Sequence, residues 1–166
     1  ENTITASSRA AIDNSVVTAV GALSDVTVDA VAMNTINSVA VATSFALSAT
    51  SGTVALSGAG SGATARNIMT NQVLAEIVNG STVTAGRDIA VTLTDTSLIK
   101  SDTSSVAASV SISSNVALSG IVAVTLVENQ IGGTYRATIS ESTATANTGE
   151  VTVSADVNNT IDALGL

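Results

Sequence analysis

NGSTVTAGRDIAVTL, residues 79–93, decides how the chain is read. Val83, Ile89 and Val91 fall at alternate positions, the period of a strand with one buried face. Gly86-Arg87-Asp88 interrupts the alternation and reads as a corner between two strands, with Arg87 and Asp88 a solvated turn pair. The phrase has two echoes, SESTATANTGEVTVSA at 140–155 and DNSVVTAVGALSDVTVDA at 13–30. A chain that repeats an unreactive phrase points to repeated architecture rather than to a catalyst.

The echoes extend outward. Arg136, Ala137 and Ile139 match Arg9, Ala10 and Ile12, and Ser142, Thr145 and Ala146 match Ser15, Thr18 and Ala19. Glu150-Val-Thr-Val matches Asp25-Val-Thr-Val, and Asn159-Thr-Ile matches Asn34-Thr-Ile. VALSG occurs at 54–58 and 116–120, and NQV at 71–73 is echoed by NQI at 129–131. Ile12, Ile77 and Ile139 lie 65 and 62 residues apart. The whole chain, 1–166, therefore reads as a single repetitive domain with copies at approximately 1–37, 38–100 and 101–166.

Turn residues recur about every ten positions between β-branched runs, as in several all-β folds. The expected fold is all-β, a parallel β-helix or β-solenoid. Dividing each unit into three coils of about 20 residues predicts about eight coils and a rod near 40 Å long. The alternatives are another all-β fibre subunit or a sandwich. Residues 7–25 also admit an amphipathic helix capping the stack, since Ala and Leu are good helix formers. Alignment with Thr-rich 137–151 favours strand.

Composition agrees. There is no Pro, which central strands exclude. Phe45 and Tyr135 are the only aromatics, so small and β-branched side chains must fill the interior. No Cys or His is present, which removes thiolate nucleophiles, disulfides, Cys/His metal sites and histidine acid–base chemistry. Thirteen acidic residues against five basic give a net charge of −8, which argues against nucleic acid and anionic membrane surfaces. Membrane insertion is not expected: the charge-free stretch 30–65 is broken throughout by Ser, Thr, Asn and Gly, and a barrel needs aromatic girdles. A first residue other than Met reads as a processed product or an excised piece.

No catalytic, cofactor-binding or metal-ligating residue is assigned, and an enzyme is not expected. Calcium is the candidate ligand for so acidic a chain. Asp25 and Asp29, Asp95 and Asp102, and Glu141 and Glu150 lack the spacing of a calcium loop and read as solvated carboxylates. Gly58-Ala-Gly-Ser61-Gly62 lacks both a serine-elbow spacing and a phosphate-loop Lys, and reads as a flexible or tight loop. Asn79-Gly80-Ser81 and Asn158-Asn159-Thr160 fit the glycosylation sequon and read as turns. Thr82/Thr84, Thr92/Thr94 and Thr143/Thr145 form Thr-x-Thr pairs, which on a flat face of every coil could bind ice. The charge-free stretches 30–65 and 103–127 read as solenoid wall or as an assembly face.

The phrase Ala75-Glu76-Ile77, Ser81-Thr82-Val83-Thr84-Ala85-Gly86-Arg87-Asp88-Ile89-Ala90-Val91, with the Ala/Ser/Val-rich 104–131, resembles the repeats of filamentous-haemagglutinin-like adhesins and related giant bacterial exoproteins. The resemblance implies a right-handed parallel β-helix, export across the envelope, and an extracellular, cell-surface stalk or contact role. It carries over no catalytic residue. Two departures stand out: GALSD (21–25) replaces the Gly-x-Asp corner in the first copy, and IGGTY (131–135) reads as an insertion in the third. The function expected is a structural or adhesive segment of a bacterial surface fibre. Its partners would be other copies of itself, packed laterally or end to end, or neighbouring repeats of a longer chain; host or cell-surface glycans are a further class. The rival readings are a monomeric carbohydrate- or ice-binding solenoid and a strand-donating filament subunit.

Overall fold

The computed structural model describes all 166 residues, and every regular element in it is a β-strand. The strands fall into four parallel three-stranded sheets: β1-β5-β9, β2-β6-β10, β3-β7-β11 and β4-β8-β12. Each sheet takes one strand from each of three successive windings. The first winding holds β1 (Asn2–Asp13), β2 (Val16–Thr18), β3 (Val26–Ala32) and β4 (Thr35–Ala49). The second holds β5 (Val54–Val78), β6 (Thr82–Ala85), β7 (Ile89–Asp95) and β8 (Leu98–Ile112). The third holds β9 (Val116–Ile139), β10 (Thr143–Ala146), β11 (Val151–Val157) and β12 (Thr160–Gly165). The chain is thus a β-solenoid, and residues 7–25 are strand and turn with no capping helix.

The coil is larger than the turn spacing predicts. Each repeat makes one winding, so there are three coils rather than eight. At about 4.8 Å per strand the stack is roughly 14 Å high, not 40 Å. The reason is side-chain matching. Like residues stack when each strand pairs with its own equivalent one repeat away: Ile12 on Ile77 on Ile139, Ala10 on Ala75 on Ala137, Ile36 on Ile99 on Ile161. Pairing at intervals of twenty would mix unlike columns. The ten-residue punctuation marks corners within one winding.

Register corrects two further readings. NQI at 129–131 stacks on Asn67-Ile68-Met69, not on NQV at 71–73. IGGTY (131–135) is no insertion, because Ile131 to Tyr135 pair residue by residue with Met69 to Val73. GALSD does lie in a longer corner: residues 19–25 join β2 to β3, where 86–88 suffice between β6 and β7.

The winding has two parts. The body is a closed loop around Val73, Ala75, Ile77, Val83, Ile89 and Val91, all at most 1% exposed. A smaller apolar cluster of Ile36, Met69 and Ile99 adjoins it. Beyond that the chain leaves the body along β4 or β8, turns at 50–53 or 113–115, and returns along β5 or β9. Two such arches stack into a flat fin, β4 and β8 facing β5 and β9. The fin strands carry the body's alternation outward without a bulge. Ile36 and Ile99 must face in, so Ser38, Ala40, Ala42, Ser44 and Ala46 do too, and on β5 Ala55, Ser57, Ala59, Ser61 and Ala63 follow the parity of Met69 and Val73.

Candidate functional site

The corners are built as ladders between windings. Asp25 Oδ1 accepts the Asp88 backbone N–H at 3.1 Å, and Asp88 Oδ1 accepts the Glu150 N–H at 3.0 Å. Arg87 grips Asp25 with both guanidinium edges, Nε to Oδ1 at 2.9 Å and Nη2 to Oδ2 at 2.5 Å, and also reaches Asp88 at 3.1 Å. Its main partner is therefore the acid one winding away rather than its sequence neighbour. The Arg87 hydrogen bond, then the Asp88 N–H, hold the Asp25 carboxyl below its ordinary range. The packing demands glycine: a Cβ on Gly149 would lie 1.9 Å from Asp88 Oδ1, and one on Gly86 would lie 1.7 Å from the Gly21 carbonyl oxygen. A serine ladder runs beside it, Ser15 N–H to Ser81 Oγ and Ser81 N–H to Ser142 Oγ. Asn2, Asn67 and Asn129 form an amide ladder at the root of the fin.

The outer wall alternates charge. Glu76 is buried under Arg9 of the winding before and Arg136 of the winding after, paired to both. Arg66 lies between Glu1 and Glu128, at 2.9 and 3.1 Å. These columns separate like charges, which directly stacked strands would otherwise oppose. An open groove lined by Arg9, Glu76, Arg136 and Glu141 follows the first column, with Glu76 already paired to both arginines.

Asp95, read from its spacing as a solvated carboxylate, instead lies wholly inside. Asp95 points inward at the end of β7, where its stacked equivalents are Ala32 and Val157. Its Oδ1 accepts Ser97 N–H at 3.1 Å and Ser97 Oγ at 2.5 Å; its Oδ2 accepts Asn71 Nδ2 at 2.9 Å and Asn159 Nδ2 at 3.2 Å. Burial pushes this carboxyl up, but bonds from Ser97, Asn71, Asn159 and Tyr135 outweigh it and hold the group below its ordinary value. Burial, then the hydrogen bond to Asp95 and its charge, raise the Tyr135 hydroxyl. The cluster lies between the main core and the Ile36–Met69–Ile99 cluster, and its polar atoms satisfy one another.

The acids singled out in sequence do not converge, and no group of three or more His, Cys, Asp or Glu forms a metal-binding set. Asp29 accepts Thr92 Oγ1 on the outer face, Asp102 is exposed, and Glu141 sits in a turn. Asn79 and Gly80 form the expected turn, both at positive φ. Gly58, Gly60 and Gly62 are not in a loop: they face outward from β5, held extended by continuous pairing with β9. Thr84 stacks between Thr18 and Thr145, and Thr82 lies between Val16 and Thr143.

The feature that the residue types alone did not announce is the outside of the fin. The charge-free stretches do supply an uncharged surface, but its outward half is bulky. Val39, Val41, Phe45 and Leu47 of β4 are 61–75% exposed, with Val106, Val110 and Ile112 beside them on β8. The opposite face presents Leu56 of β5 and Leu118, Val122, Val124 and Leu126 of β9, all 57–64% exposed. The small residues lie inside and the large apolar ones outside. Comparison with protein-family models, curated proteins and solved structures finds no match.

Proposed function

We propose that this chain is a structural or adhesive segment of an extracellular bacterial surface fibre or giant adhesin, and that it works through stiffness and assembly rather than chemistry. The observation that carries the reading is the ladder at the Asp25, Asp88 and Glu150 corner, repeated in serine and asparagine columns. Every winding is tied to the next by backbone pairing and by side-chain bonds at its corners, which suits a load-bearing element. Exposed apolar fins supply a surface for contact with other copies or with neighbouring repeats of a longer chain. Export and a bacterial source rest on the resemblance of residues 75–91 to adhesin repeats. Negative-stain microscopy with sedimentation velocity at rising concentration tests the reading: ordered polymers or progressive association are expected, and strictly monomeric particles at high concentration would overturn assembly by this segment.

A second reading follows from the Thr18–Thr84–Thr145 column with Thr82–Thr143 beside it. Five of six outward positions on this small sheet are Thr, a regular hydroxyl array that fits ice or a glycan. Thermal hysteresis and glycan-array binding check it, and loss of either signal in Thr84→Tyr would locate it on this sheet.

A further inference from the structure

We infer that the fin is a lateral self-docking device in which the β4/β8 face of one copy packs on the β5/β9 face of another. The inference deepens the assembly reading above and rests on it. Each face offers roughly 700 Å² of exposed large apolar side chain, more than the largest patch on a typical monomer. Complete burial of two such faces would remove at most about 1,400 Å² from water, within the range of a stable protein interface.

The relief of the faces fits one on the other. On the β5/β9 face, the β5 row is low, with Gly58, Gly60 and Gly62 pointing outward, while Val122 and Val124 stand beside Gly60 and Gly62 on β9. The β4/β8 face is its counterpart. Val41, Phe45 and Leu47 form a ridge on β4, and β8 is low beside Val41 and Phe45, at Ser104 and Ala108, while Val106, Val110 and Ile112 stand out from the same strand. Stacking copies in the same orientation sets the β4 ridge over the glycine row of β5. The chain's own fold does not require these glycines: none of the three has positive φ, and a Cβ on any of them would meet nothing nearer than 3.8–4.0 Å. Glycine weakens a strand interior and marks close approach of another backbone or ligand, so the row serves something outside the chain.

Charge agrees with a second copy as the occupant. Both apolar faces are free of charge, and the base of each carries one acid and one base, Lys100 with Asp102 and Arg66 with Glu128. Copies can therefore meet fin to fin without crowding the carboxylates that give the net −8. A bilayer fits less well, because the fin is two pairs of strands with open edges, whose unpaired N–H and C=O groups hydrocarbon cannot satisfy. Packing one face on the opposite face does not close, so it yields laminates rather than dimers.

Two variants test the geometry. Gly60→Glu spoils one face and Phe45→Lys the other; both positions are exposed, so circular dichroism should match the parent. Sedimentation velocity should show the parent associating, each variant alone at least tenfold weaker, and an equimolar mixture forming heterodimers and nothing larger. A Gly60→Glu protein that still associates alone through the β4/β8 face would overturn the heterologous packing. If parent and variants associate equally, the fin is not the interface, while assembly through other surfaces stands. A parent that stays monomeric at every concentration would overturn both readings. Flotation of a monomeric parent with phosphatidylcholine vesicles, lost in both variants, would overturn self-docking in favour of lipid.

Discussion

At the scale of single residues, Asp95 and Glu141 occupy demanding positions. The four bonds to Asp95 make it the acceptor on which Asn71, Ser97 and Asn159 depend. Asp95→Ala would leave buried donors without partners and should cost about 3 kcal/mol in denaturant unfolding. The same carboxyl sets an acid limit. Because the folded state holds Asp95 and Asp25 below their ordinary values, their contribution is complete above the unfolded-state value of about 3.9 and disappears as pH falls through the folded values. Thermal scans should therefore be flat from neutrality to about pH 5 and decline below about pH 4. In Asp95→Asn the decline should be shallower from a lower starting Tm. Glu141 is the third member of a left-handed column with Asn14 and Asn79, at φ of 50°, 44° and 57°. Asn tolerates this region better than Glu, so Glu141→Asn should raise stability by about 0.5–1 kcal/mol, read as an increase in Tm.

At the scale of elements, the fin shows what alternation can and cannot disclose. Residue identity alone aligns Arg9, Ile12 and Thr18 with Arg136, Ile139 and Thr145, and the strand register pairs the same columns, because like-on-like stacking writes itself into the sequence. The phase of VAVATSFALSA (39–49) was not legible. Both of its alternating halves are uncharged, and the usual preference would bury Val, Phe and Leu. What sets the phase is remote: Ile36 faces the body core, and unbroken pairing carries its parity along all 15 residues of β4. The Asp95 cluster was hidden for a different reason. Its column changes from Ala32 to Asp95 to Val157, so repetition gave no sign of it. The inverted fin leaves a mark that can be measured. Ser44 and Ser61 bury hydroxyls in the seam with no bonding partner. Removing an unsatisfied group is favourable, so Ser44→Ala and Ser61→Ala should each stabilise by up to about 1 kcal/mol, where most buried substitutions destabilise. Chemical unfolding that shows a loss instead would mean that the seam hydroxyls are solvated.

At the scale of the whole molecule, stability follows position in the stack. A solenoid is held by contacts between successive windings, and only the second winding has neighbours on both sides. Burial reflects this: Ile77, Val83, Ile89, Val91 and Ile99 of the second winding are fully enclosed, whereas Val151, Val153 and Ile161 of the third are 42–47% exposed at the open face. The conserved geometry of one column therefore allows a controlled comparison within a single chain. Ile12, Ile77 and Ile139 have the same side chain, strand type and inward orientation, and they differ in how many windings cover them. Ile77→Ala should cost about 3–5 kcal/mol, the range for an enclosed cavity, because Ile12 and Ile139 hold the backbone on either side and the space cannot collapse. Ile12→Ala and Ile139→Ala should cost about half as much, since water and relaxation reach an end winding. Urea titration of the three variants checks the ranking. Equal losses at all three positions would overturn the dependence on stack position. If the proposed lateral docking holds the fins together, raising the protein concentration should lift all three midpoints in parallel without changing their order.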